Sequence, residues 1–207
     1  MRRQAILTTA AQMLSETGVS ELSLNELSRR VGLAKSNVLK YFESREAVLL
    51  ELTAAELTAW VDDLATGVAA IAPAAPLAER CDALVDFMVS SLTARPMLCE
   101  LISTQASVLE RNISTETALT FKRSAAANVA RMIDLVAVAL PEIGRDGAMR
   151  FIPPASLLAG AVWNHAHPTP ALLAAYEADP SLAPLRMEFE PTLREQLTTL
   201  LVGVVPR

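Results

Sequence analysis

A chain of 207 residues with 52% hydrophobic content is long enough to bury a sizeable core, as one domain or two small ones, and reads as globular. Aromatics make up only 4%, alanine and leucine dominate, and no run alternates apolar with polar, so the composition excludes a sheet and points to an all-α protein. The net charge of −5 argues against nucleic acid only until it is divided by position: residues 1–50 hold seven basic and five acidic side chains, a net +2, leaving eleven against eighteen, a net −7. A basic head on an acidic body would turn one end toward phosphate and the other away.

Arg2–Thr17 reads as the first helix, with Ile6, Ala10 and Leu14 on one stripe and Gly18 as its C-terminal stop. Arg2 and Arg3 stand ahead of the stripe, placed either to touch DNA or to be merely solvated. The terminus is charged and then amphipathic, without an apolar core and cleavage site, so no secretory signal is expected.

Leu22 to Arg45 carries two short helix signals around a glycine turn, the pattern of a helix-turn-helix. Ser23 takes the N-cap position, Glu26 completes a capping box, and Leu22 with Leu27 forms a hydrophobic staple. Leu24, Leu27 and Val31 share a face, and Gly32 supplies the left-handed stop. A second helix is expected over Lys35 to Phe42, burying Val38 and Phe42 and leaving Lys35, Ser36, Asn37, Lys40 and Tyr41 outward. That face suits a major groove: asparagine pairs with adenine, serine meets several base edges, and lysine reaches guanine or phosphate.

These residues resemble the TetR-type (tetracycline-repressor-like) bacterial transcription regulators. The resemblance covers roughly the first quarter of the chain. It rests on the alanine-rich first helix ending at Gly18, on Leu24-Asn25-Glu26-Leu27 leading to Val31-Gly32-Leu33, and on Tyr41-Phe42-Glu43-Ser44-Arg45-Glu46. The chain departs from the family pattern at Ala34, where a Ser or Thr cap is usual, and at Leu39, where a phosphate-contacting Tyr is common.

Ser44 is expected to cap a long helix reaching about Ile71, with Arg45 and Tyr41 near a phosphate at its first turn. Pro73 and Pro76 end it, and helices follow over Leu77–Ala94 and Met97–Arg111. Ser114 then caps a helix whose Phe121, Ala125, Val129, Met132, Val136 and Leu140 form one stripe. Two further main helices are expected near Ala155–His167 and Phe189–Val202, with a short one ending at Tyr176. The uncharged stretch from Ile152 to Tyr176 is interrupted by prolines, Asn164, His165 and His167, which excludes a membrane span.

The resemblance implies that the last two helices pair with those of a second copy, and the expected interface is Leu158, Ala161, His165, Leu193, Leu197, Leu200 and Leu201. Internal packing of the same leucines is the alternative. Trp60, Phe87, Met88, Phe121, Met132 and Trp163 are the candidates for lining an effector pocket, although such side chains are more often ordinary core. Glu100 and Asp86, set inside apolar runs, are candidate acids for a cationic ligand or simply surface groups. His165 and His167 are spaced two apart on a helix and point different ways, so metal binding is not expected. Cys81 and Cys99 have no metal-ligand spacing, and a reduced, cytoplasmic chain is the plain reading.

No nucleophile elbow, phosphate-binding glycine loop or triad spacing predicts catalysis, and no cofactor is expected. The expected protein is a homodimeric repressor with a DNA-binding head over residues 1–46 and a ligand-binding and dimerisation body over 47–207. Lys35, Ser36 and Asn37 would read bases of a double-stranded operator, and Lys40, Tyr41, Arg45, Arg2 and Arg3 would hold phosphate. A small apolar molecule would release it. The alternative is a helical dimer acting through protein contacts, which Ala34 and Leu39 leave open, and an enzyme built around the histidines is a more distant one.

Overall fold

The computed structural model describes residues 2–105 and 109–206. The described residues form α-helices and one 3-10 segment, with no strand. In chain order the helices are α1 (Arg2–Thr17), α2 (Leu24–Val31), α3 (Lys35–Val38), α4 (Arg45–Ala70), α5 (Leu77–Thr93) and α6 (Pro96–Thr104), followed by α7 (Thr115–Ala139), α8 (Gly144–Ala166), α9 (Pro170–Ala178) and α10 (Phe189–Val202). The 3-10 segment, Pro180–Leu185, joins the last two.

Serine hydroxyls start three of these helices as the sequence predicts. Ser23 accepts from the Glu26 N–H, Ser44 from the Ala47 N–H and Ser114 from the Thr117 N–H, at 3.2, 3.1 and 3.2 Å. Gly32 ends α2 with φ 72°, a conformation that an L side chain rarely adopts. Only half of the predicted capping box forms, because the Glu26 carboxylate bonds Arg29 and Arg30 instead of the Ser23 N–H. Charge-assisted bonds outweigh the neutral one.

Two cores organise the packing. A head core gathers Ile6, Ala10, Leu14, Leu27, Val38 and Phe42 with Val48, Leu49 and Leu50 from α4. A body core gathers Trp60, Val61 and Leu64 from the same helix with α5, α6, α7, α8 and α10. Helix α7 is divided likewise: Phe121 belongs to the head core, and Met132, Val136 and Leu140 to the body.

Four predicted elements are corrected. The second helix of the helix-turn-helix is regular only over Lys35–Val38 rather than to Phe42. Ala34 supplies no side-chain cap, and the ladder tightens as the Tyr41 N–H bonds Val38 O at 2.9 Å. Helix α8 begins eleven residues before the predicted Ala155, at Gly144, and runs through Pro153 and Pro154. The carbonyls those prolines leave without intrahelical donors belong to Met149 and Arg150, both exposed to water, while Phe151, Ile152 and Ala155 are buried opposite. The helix predicted over Met97–Arg111 is regular over Pro96–Thr104, and part of its remainder, 106–108, lies outside the described residues.

The last correction concerns the terminal leucines. Leu193, Leu197 and Leu201 are at most 1% exposed, because α10 packs them onto α5 and α8 of its own chain. They are core, not interface. Replacing Leu197 by Ala is therefore expected to cost about 2–5 kcal/mol of unfolding free energy in a urea titration; a cost under about 0.5 kcal/mol, usual for a surface site, would contradict its placement.

Candidate nucleic-acid interface and body cavity

The face expected to read bases is open: Lys35 and Ser36 are exposed and Asn37 is half-buried, all on a turn anchored by the fully buried Val38. Lys40 and Tyr41 continue it and are exposed. Two of the predicted phosphate ligands are engaged elsewhere. Arg3 donates to Tyr41 O at 2.9 Å, pairs with Glu51 on α4 and sits 4.4 Å from the centre of the Phe42 ring. Arg45 donates to Val19 O and Ser20 O and lies 3.8 Å from Glu46. Both guanidiniums thus brace the segment, because carbonyls and carboxylates of the head surround them. Arg2, Lys35 and Lys40 form no ion pair with a described residue and remain free for phosphate.

Two carboxylates tie this head to the body. Glu43, just after the turn, accepts from the Ser114 N–H at 2.7 Å and so sits on the N-terminus of α7. That bond, and then the Thr117 hydroxyl, hold its carboxyl below the ordinary 4.5. Glu100 on α6 accepts from the Val19 N–H at 2.7 Å, in the turn after α1. Glu100, a candidate either for a cationic ligand or for the surface, meets the head instead, accepting from a backbone N–H that has no other partner among the described residues. Asp86 pairs with Arg194 on α10. Asp86 is thus the surface group of the two, and the partner of Glu100, 81 residues away, is not visible in spacing.

The body holds an apolar cavity of about 540 Å³ between α4, α5, α6, α7, α8 and α10, open to solvent along α8 at Pro153, Leu157, Ala161 and Asn164. Trp60, Met88 and Met132 line it as expected, with Val129 on α7 and Ile102 on α6. Phe87, Phe121 and Trp163 do not. The Phe87 ring packs on α4 at Gly67, where a Cβ would come within 2.5 Å of it. Phe121 is claimed by the head core. Trp163 stacks on His167 at 3.9 Å and meets Phe189 edge-on at 5.0 Å.

Helix α8 carries an exposed stripe with a four-residue period, Met149, Pro153, Leu157, Ala161 and His165, of which Pro153, Leu157 and Ala161 form the mouth of the cavity. Of the residues expected at an interface, Ala161 and His165 lie on it, while Leu158 and Leu200 are half-buried. Leu157, 76% exposed and absent from the expected set, stands at its centre. The thiols are withdrawn: burial pushes Cys99 up to about 12 and also raises Cys81.

The depressed Glu43 group makes a pH-dependent contribution. Its folded pKa lies below the unfolded value, so its stabilisation is present above 4.5 and is lost as pH falls through the lowered value. Glu43→Gln, which keeps an acceptor and removes the charge, is expected to lower unfolding stability at neutral pH. The difference from the native sequence should close under acid, and a difference independent of pH would contradict this role.

Comparison with known proteins agrees with this geometry. Residues 6–52 match the family model described as bacterial regulatory proteins, tetR family, and residues 54–207 match the tetracyclin repressor-like C-terminal domain. EthR of Mycolicibacterium smegmatis, an HTH-type transcriptional regulator, is 32% identical over 95 residues, 46% of this chain and 34% of that protein. The match thus spans about a third of the relative's length. Among solved structures, the fatty acid degradation regulator FadR of Bacillus halodurans superposes with a TM-score of 0.56 at 16% identity, covering 98% of this chain and 99% of that one. FadR of Bacillus subtilis, solved with stearoyl-CoA, superposes with a TM-score of 0.51 at 11% identity, covering 98% and 99%. The two family models together account for nearly the whole polypeptide, and the chain belongs to the TetR family of bacterial transcription regulators.

Proposed function

We propose that the protein is a homodimeric, effector-responsive repressor acting on cytoplasmic DNA. The observation that carries this reading is the outward face of the Lys35–Tyr41 segment, with Lys35, Ser36, Lys40 and Tyr41 exposed, on a head bonded through Glu43 to α7, the helix that also lines the cavity. Lys35, Ser36 and Asn37 meet base edges in a major groove, and Lys40, Tyr41 and Arg2 meet phosphate. Arg3 and Arg45 act indirectly by holding the turn at its angle. The functional divide falls near residue 46, with DNA reading before it and effector binding and pairing after it.

The second copy docks on the α8 stripe centred on Leu157, where a four-residue ridge suits helix-on-helix packing. Two heads then face successive major grooves roughly 34–36 Å apart. A molecule in the cavity displaces α7 and α4 and changes that spacing, so operator affinity falls by a coupling energy of about 1–3 kcal/mol. The stearoyl-CoA held by the Bacillus subtilis relative supports a small-molecule effector as the kind of signal.

Operator titrations with variants test the head. Asn37→Ala is expected to relax preference at one base position at a cost of about 1–3 kcal/mol, while Lys40→Ala weakens every sequence alike and lowers the salt slope by about one. Identical effects from both would contradict the assigned roles. For pairing, Leu157→Glu is expected to yield monomers in sedimentation and to weaken operator binding; an undisturbed dimer would place the interface elsewhere.

A further inference from the structure

We infer that the cavity selects an uncharged ligand, an apolar body bearing one neutral hydrogen-bonding group such as an amide, and discriminates against carboxylates and CoA thioesters. The inference rests on the effector reading above and specifies its chemistry.

Its basis is the lining. Among the described residues no Lys, Arg, His, Asp or Glu borders the cavity, and the sequence places no charge at 106–108. An anion drawn past the rim would lose its hydration without meeting a cation, and at the exposed rim it would find the neutral Asn164 amide and no cation among the lining residues. The polar side chains present are largely committed to the protein. The Ser103 hydroxyl donates to Glu100 O at 2.8 Å and Ser156 to Ile152 O at 3.0 Å. The Gln105 amide donates to Glu110 at 2.8 Å. Asn164, on the rim formed by α8, bonds no described residue. Its amide offers a donor and an acceptor together, which complements another amide or an alcohol better than a carboxylate, which only accepts.

Size points the same way. At roughly 30 Å³ per water-sized atom, the cavity holds on the order of 18 non-hydrogen atoms. That is room for a medium-length chain or a few fused rings; a nucleotide head would have to stay outside, at a mouth whose lining offers no Lys or Arg to its phosphates. Trp60 and Met132 form an adaptable apolar wall for such a body.

The test uses the full chain with Trp163→Phe, which leaves Trp60, a lining residue, as its one tryptophan. Decanamide, decanoate and decanoyl-CoA, which share one chain, are titrated against Trp60 emission. Decanamide is expected to bind at least about tenfold more tightly than either charged probe, and Asn164→Leu to remove about tenfold of its affinity without disturbing the fold, since the residue is exposed. Decanoate or decanoyl-CoA binding as tightly as the amide, or no probe altering Trp60, overturns the inference. Operator release measured in parallel separates the two readings. Decanamide bound at Trp60 without release supports the ligand class and contradicts the effector role, whereas release by decanoyl-CoA alone overturns the ligand class and leaves the effector role standing.

Discussion

Helix α4 cannot tilt at one end without carrying the other, because its buried residues are shared between two cores. Val48, Leu49 and Leu50 are closed into the head, and Trp60, Val61 and Leu64 into the body. Close-packed interiors do not deform continuously, so a rotation of this helix must be taken up by both sets of neighbours. The head therefore has no freedom to swivel on a loose linker. Its orientation is a property of the body's packing.

Two carboxylates extend that constraint. Glu43 fixes the turn after the recognition segment to the start of α7, and Glu100 fixes the turn after α1 to α6. Both α6 and α7 border the cavity, through Ile102 and Val129. A guest that spreads these helices would pull on the head at two points besides α4. Arg3 and Arg45 join the reading segment to the same frame, since their guanidiniums tie Tyr41 to α4 and α4 to the α1–α2 turn.

What the sequence made legible follows from the range over which each signal acts. Caps at Ser23, Ser44 and Ser114, and stops at Gly18 and Gly32, are local chemistry and were readable from a few neighbouring residues. The family-bearing motifs around Leu24–Leu33 and Tyr41–Glu46 are local as well. Partnership was not readable. Periodicity placed Phe121, Met132 and Leu197 on buried stripes, but it could not say whether the stripe met the head, the cavity or α5. Arg3 and Arg45 looked like phosphate ligands because charge is visible in sequence, while the carbonyls that hold them lie far along the chain. The proline pair within α8 misled for a related reason: whether proline breaks a helix depends on whether the carbonyls it strands can reach water.

The central claim is that cavity occupancy resets the spacing of two reading heads. The most direct measurement is the distance between nitroxides at Gln12→Cys, an exposed position on α1 with no assigned DNA contact, in the two halves of the proposed dimer, in a Cys81→Ala background where the buried Cys99 resists labelling. The account predicts a narrow distribution on operator DNA that fits heads separated by roughly 34–36 Å. It predicts a displaced distribution once Trp60 emission reports the cavity filled. An unchanged distribution with the cavity filled and the operator released would contradict it.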